Sequence, residues 1–172
     1  SGIGLACAKR YAEEGALIVI SDLGTNRLEQ AARDIMQGTN ARVLQVEADV
    51  CFEAQLDGLM KETVGEFGRI DTVLAAAGVS TANYVSGAPA NNADRPADQG
   101  QLINKSVEDW NRVLQINLTG VMLTNRLAAR VMIEQQTKGT IVNIASTAAR
   151  IALSGAVDYC VSKAGVAMLT HA

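Results

Sequence analysis

Tyr159 and Lys163 stand four residues apart, and Ser146 precedes the tyrosine by thirteen. If the stretch from Tyr159 to Thr170 is helical, the phenol and the ammonium lie one turn apart on one face. A fixed ammonium beside a phenol favours the phenolate. A phenol ordinarily titrates near pH 10, so bringing it to about 7 takes roughly 4 kcal/mol of preferential stabilisation of the anion. Such a tyrosine is a usable acid and base at neutral pH. Ser146 ends the apolar run 140–145, which reads as a buried strand. Its hydroxyl then falls at the carboxyl end of a strand, where open α/β sheets bind their ligands. A tyrosine–lysine pair at this spacing arises by chance on many exposed helices. It is the serine, the strand and the helix together that point to a site.

These residues need a scaffold. The chain has 172 residues, enough for one domain (1–172) with a sizeable core. Apolar residues make up 48%, charged residues 19%, and the formal net charge is −3. This mild acidity, without a basic cluster, argues against a nucleic-acid surface. No apolar run approaches a membrane span, so neither a membrane nor a nucleic acid is an expected partner. Cys7, Cys51 and Cys160 are odd in number and far apart, with no C-x-x-C and no metal-ligand spacing. They read as reduced thiols, with a cytoplasmic location as the default. Cys160 could either line a pocket beside Tyr159 or be inert packing.

The order of elements is regular. Helices are expected over 5–14 (ending at Gly15), 25–37, 52–67, 106–135 and 157–172. Strands are expected over 16–20, 43–46, 72–75 and 140–145. Continuous apolar strands alternating with helices predict a doubly wound parallel sheet covered on both faces, a three-layer α/β/α arrangement. Ser106 and Asp109 have capping-box spacing at the start of the long helix. The helices over 107–135 and 157–172 are apolar on more than one face. That extra face fits either a homodimer or homotetramer contact or a neighbour within the same chain. Segment 80–105 holds both prolines and few apolar residues. It reads as an irregular insertion, either a lid over the ligand or a floppy loop.

The chain resembles the classical short-chain dehydrogenases/reductases along its whole length. Ser1-Gly2-Ile3-Gly4 is similar to the end of that family's T-G-x-x-x-G-I-G turn, and Asn117-Leu118-Thr119-Gly120 to its N-l-t-G segment. The strand Ile141–Ser146 resembles the one delivering the catalytic serine, and Tyr159-Cys160-Val161-Ser162-Lys163 resembles the Y-x-x-S-K signature. The resemblance implies a Rossmann-like fold and hydride transfer between a secondary alcohol or ketone and a nicotinamide cofactor. Tyr159 would be the general acid/base. Lys163 would favour its anion and hold the nicotinamide ribose, and Ser146 would hold the substrate oxygen. Asn117 would anchor a water linking Lys163 to solvent; read alone, it is equally an asparagine satisfying backbone groups inside a helix.

The same resemblance places cofactor contacts at Gly2, Ile3, Gly4, Asp22, Asp49, Val50, Ala76 and Gly78, besides Tyr159 and Lys163. Asp22 follows Gly2 by twenty residues, where a carboxylate binds the adenine ribose hydroxyls and repels a 2′-phosphate. No basic residue stands at Ser1 or Leu23, so NAD is expected over NADP. Asp22 and Asp49 have a second reading, as caps of the helices that follow them. Gly2 and Gly4 fit a helix N-terminus approaching the pyrophosphate. Ala75-Ala76-Ala77-Gly78 departs from the family's usual Asn-Asn-Ala-Gly, which puts the rigidity of the central strands in doubt more than the chemistry.

Both ends look cut, without the family's first strand or its C-terminal substrate region. These 172 residues alone are therefore expected to fold poorly and to be inactive. The substrate, a small alcohol or ketone, is left open. A 3-oxoacyl reductase or a hydroxysteroid-type dehydrogenase fits as well. A reading from another class is a catalytically silent dinucleotide-binding sensor or subunit.

Overall fold

The computed structural model describes residues 1–80 and 101–172, so most of the insertion expected at 80–105 lies outside the described residues. The elements run α1 (Gly2–Glu13), β1 (Ile18–Asp22), α2 (Thr25–Met36), β2 (Val43–Glu47), α3 (Glu53–Phe67) and β3 (Thr72–Ala75). After a short 3₁₀ turn at Leu102–Asn104 come α4 (Val107–Leu114), a wider π-type turn (Gln115–Thr119) and α5 (Gly120–Glu134). β4 (Thr140–Asn143), a second 3₁₀ turn (Thr147–Ala149) and α6 (Val157–His171) complete the order. They gather into two compact units: Ser1–Ala76 with Leu123–Val142, and Ala77–Met122 with Asn143–Ala172.

In the first unit, β1 and β2 pair in parallel from Ile18↔Val43 to Asp22↔Glu47. The core here is built by Ala8 and Ala12 of α1, Ile18 and Ile35, with Leu5, Ile20, Ala41 and Val43 packed against it. α2 buries Leu28, Ala32 and Ile35, the stripe its helical spacing predicts. Burying Leu28 and Ile35 contributes about 1.5–3 kcal/mol each. α3 stops at Gly68, whose φ of 84° is a left-handed cap that a glycine adopts without penalty.

Several boundaries differ from expectation. β1 starts at Ile18 rather than at residue 16, because Ala16 is still spent on closing α1: its N–H donates to the Tyr11 carbonyl at 3.0 Å. β4 ends at Asn143 rather than at 145, and the Ile144 carbonyl accepts from Lys163 Nζ at 2.7 Å instead of joining a ladder. Among the described residues the strands form two two-stranded sheets, β1–β2 and β3–β4. Val19, Val73 and Leu74 are accordingly half-buried, where strands flanked on both edges would be buried.

In the second unit, Ser106 caps α4 as its spacing predicts, Oγ accepting from the Asp109 N–H at 3.0 Å. The long helix expected over 106–135 runs unbroken from Val107 to Glu134, but its middle is a π-type turn, and Asn117 sits inside it. Wide turns of this kind cluster at functional positions. α6 begins two residues before Tyr159 and buries Asp158, Ser162, Lys163 and Val166. Charged groups this deep are rare unless paired, and here Asp158 meets Lys105 while Lys163 donates to the Ile144 carbonyl.

Candidate active site

Asn117, Ser146, Tyr159 and Lys163 all belong to the second unit. α6 holds Tyr159 and Lys163 one turn apart, as their spacing requires, and Lys163 Nζ lies 5.7 Å from the centre of the Tyr159 ring. The lysine side of this pair is deep: Lys163 is 4% exposed, and Nζ donates to the Ile144 carbonyl. Burial pushes its ammonium below the ordinary lysine range, since a desolvated charge is disfavoured. Tyr159 remains half-buried. The pair thus sets an enclosed ammonium beside the ring of a half-buried tyrosine.

Ser146 follows β4 and opens the 3₁₀ turn, its Oγ accepting from the Ala148 N–H at 3.1 Å. That bond uses an acceptor position and leaves the O–H for a ligand oxygen. Asn117 is fully buried. Its Oδ1 accepts from the Val79 N–H and its Nδ2 donates to the Val79 carbonyl, both at 2.8 Å. The same Nδ2 donates to Ser162 Oγ at 3.1 Å. The backbone-satisfying role foreseen for an isolated asparagine is therefore present in the structure. Gly78 lies beside this cluster: a side chain there would come within 3.4 Å of Asn117 Oδ1 and 3.6 Å of Lys163 Nζ.

The remaining expected residues lie in the first unit. Gly2, Ile3 and Gly4 form the first turn of α1, and Gly2 has φ +56°, which favours glycine. A Cβ on Gly4 would stand 3.3 Å from the Ala76 Cβ. Asp22 ends β1, with Oδ1 accepting from the Leu23 N–H at 2.7 Å and meeting Arg27 Nη2 at 2.6 Å. Neither aspartate caps a helix. Gly24 occupies the N-cap of α2 and Phe52 that of α3. Asp49 Oδ1 instead accepts from the Cys51 N–H at 2.9 Å, closing a local turn that includes Val50.

Sequence reasoning missed Ser162, which joins Asn117 to α6, the Ile144 carbonyl that holds Lys163, and Arg27 on Asp22. The signal for Ser162 was available: Asp158, Ser162 and Val166 recur every four residues, a buried stripe interrupted by polar groups.

The family model for short chain dehydrogenases matches residues 1–172. The chain is 30% identical over 172 residues to meso-2,3-butanediol dehydrogenase of Serratia marcescens, covering all of this chain and 60% of that protein. It is 35% identical over 173 residues to cis-4-hydroxycyclohexanecarboxylate dehydrogenase of Sinomonas cyclohexanicum, covering 99% of this chain and 61% of that one. The crystal structure of a short chain dehydrogenase from Mycobacterium smegmatis superposes with a TM-score of 0.85 at 33% identity, over 99% of this chain and 64% of that one. The chain thus spans about three-fifths of the length of these relatives. Their fold is the doubly wound α/β type that the order of strands and helices led us to expect. With the whole sequence within the family model, the chain belongs to the short chain dehydrogenases.

Proposed function

We propose that the protein is an NAD(H)-dependent oxidoreductase that interconverts a secondary alcohol and a ketone, with Tyr159 as the general acid/base. The observation that carries this reading is the buried Lys163 ammonium, anchored on the Ile144 carbonyl 5.7 Å from the Tyr159 ring. A buried cation this close to a phenol is the arrangement that acid/base chemistry at the tyrosine requires.

The residues present fit a dinucleotide. Gly4 leaves open the space next to Ala76 that a side chain would crowd. Both contacts of Asp22 fall on Oδ1, so Oδ2 is the oxygen left for ribose hydroxyls. Gly2, Ile3, Asp49, Val50, Ala76 and Gly78 complete the set of proposed contacts. When bound, the nicotinamide supplies the hydride acceptor or donor.

This chain's own residues do the rest. The Ser146 hydroxyl holds the substrate oxygen. Tyr159 takes the proton from that oxygen in oxidation and returns it in reduction. Lys163 stabilises the tyrosine anion and meets the nicotinamide ribose. Asn117 holds the Val79 backbone and Ser162 in place, and in this reading anchors a water that passes protons onward from Lys163. NAD is the preferred nucleotide because Asp22 repels a 2′-phosphate, with Arg27 softening that repulsion. A homodimer or homotetramer is proposed from the apolar faces of α5 and α6, on which Ile133 and Met168 are exposed.

The test uses the full-length protein. NADH formation is followed over a panel of secondary alcohols, and the reverse reaction over the matching ketones, in wild type and Tyr159→Phe. NAD-dependent turnover that falls by about 10³-fold or more in the variant supports the reading. Turnover that survives the substitution sinks it. Nucleotide binding with no turnover on either panel would favour a silent sensor.

A further inference from the structure

Two helix origins in the second unit are tied together by a buried ion pair. Lys105 Nζ donates to Asp158 Oδ2 at 3.0 Å, and the two side chains are 4% and 0% exposed. So deep a pair adds little net stability, because dehydrating both charges offsets most of their attraction. What it does supply is a steep penalty for any geometry that separates them. The informative part is therefore where the two residues stand.

Lys105 directly precedes Ser106, the cap of α4, and α4 leads into the turn that carries Asn117. Asp158 directly precedes Tyr159 in the first turn of α6, and its Oδ1 accepts from the Tyr159 N–H at 2.9 Å. The N-cap position of α6 is Ala156, which has no side chain to cap with. The Asp158 carboxylate is thus the acidic group at the positive end of this helix. One turn further on, Ser162 takes the hydrogen bond from Asn117. Asp158 and Ser162 form one buried stripe of α6, and Tyr159 and Lys163 form the next, about 100° round the axis. The first stripe is fastened at both points to residues that flank α4. Fastening it sets the rotation of the second.

We propose that Lys105 and Asp158 are a positioning pair for Tyr159, locking the rotation of α6 so that the phenol keeps its aim. The proposal rests on the reading of Tyr159 as the acid/base. An α6 turned by one residue would pull these two buried charges apart, so the lock is far stiffer than apolar packing of the same size.

The experiment compares wild type, Lys105→Met/Asp158→Asn and Asp158→Glu in the full-length protein. The double variant removes the two charges together and keeps an acceptor for the Tyr159 N–H, so its melting temperature should stay near wild type. Asp158→Glu keeps both charges and moves the carboxylate by one methylene. In both we expect kcat to fall about tenfold with little change in KM for the nucleotide, as small misplacements of reacting groups do. We also expect amide exchange over residues 157–163 to quicken about tenfold while exchange elsewhere is unchanged.

Wild-type kcat in a well-folded double variant overturns the proposal, because the pair would then be structural only. If the double variant melts early, Asp158→Glu decides by the same criterion. The exchange measurement does not depend on catalysis. Unchanged exchange in the first turn of α6 overturns the lock even if Tyr159 proves not to be the acid/base. Quickened exchange alongside turnover that survives Tyr159→Phe would overturn the acid/base reading and leave the lock on α6 standing.

Discussion

The Asn117 amide donates to Ser162 Oγ at 3.1 Å, and Ser162 Oγ donates in turn to the Tyr159 carbonyl at 2.8 Å. One hydroxyl, with no exposure to solvent, connects the wide turn before α5 to the helix of the tyrosine. Ser162→Ala removes both bonds but leaves Asn117 its contacts with Val79. We expect a loss of about 1–3 kcal/mol, the cost of an unsatisfied buried donor. The kcat should fall, yet far less than in Tyr159→Phe. A denaturant titration with parallel initial rates checks this, and an unchanged melt would show that Asn117 finds another acceptor.

Lys163 makes stability depend on pH with a definite sign. Its folded ammonium titrates below the ordinary value of 10.5 because it is desolvated. Below the folded value both folded and unfolded chains carry the charge, and the burial penalty is complete. Between the lowered value and 10.5 the unfolded chain holds a proton that the folded one has released, so stability rises with pH there. Lys163→Met abolishes the titration. The stability difference between wild type and variant should therefore shift in the wild type's favour as pH climbs toward 10.5. Urea midpoints taken across the alkaline range test it; a difference flat in pH would contradict the assignment.

Arg27 sits on the carboxylate proposed to select the nucleotide. The pair is largely exposed on the arginine side, where such contacts are worth only about 0–1 kcal/mol. Arg27→Ala should therefore sharpen the preference for NAD over NADP by a few-fold, chiefly by weakening NADP. Dissociation constants for both nucleotides, measured by fluorescence titration, give the ratio. Tighter NADP binding in the variant would mean that the guanidinium does not face the 2′ position.

Gly4→Ala probes the nucleotide turn. Alanine in a helix is favoured over glycine by about 1 kcal/mol, so the helix itself gains. The added methyl would stand 3.3 Å from the Ala76 Cβ and occupy the space that the proposed dinucleotide needs. Nucleotide affinity should fall about tenfold or more while the melting temperature of the free protein changes little. Affinity retained in a well-folded variant would move the nucleotide away from this turn.

Local periodicity made much of this legible. The Ser106 cap and the helix over 25–37 each rest on neighbours close in sequence, and the structure has both where they were expected. Tyr159 and Lys163 were readable for the same reason, being one helical turn apart. The bonds that aim them were not. Asn117 and Ser162 are separated by 45 residues, and Lys105 and Asp158 by 53. Nothing in the local sequence selects such partners. The shortened β4 was hidden for a related reason: Ile144 is as apolar as a strand residue should be, and only the distant Lys163 claims its carbonyl.

The turn at Gln115–Thr119 has a consequence for chain length. A π-type turn holds one more residue than the α-helical turn it replaces, so the faces before and after it are out of phase. Val113, Asn117 and Val121, spaced by fours, stay buried together across it. Deleting a single residue here, even an exposed one such as Gln115, would keep every proposed catalytic group and give a more regular helix. It would also swing Asn117 off Val79 and Ser162. At this point the number of residues is constrained as tightly as their identity, and a change that improves the helix would disable the site.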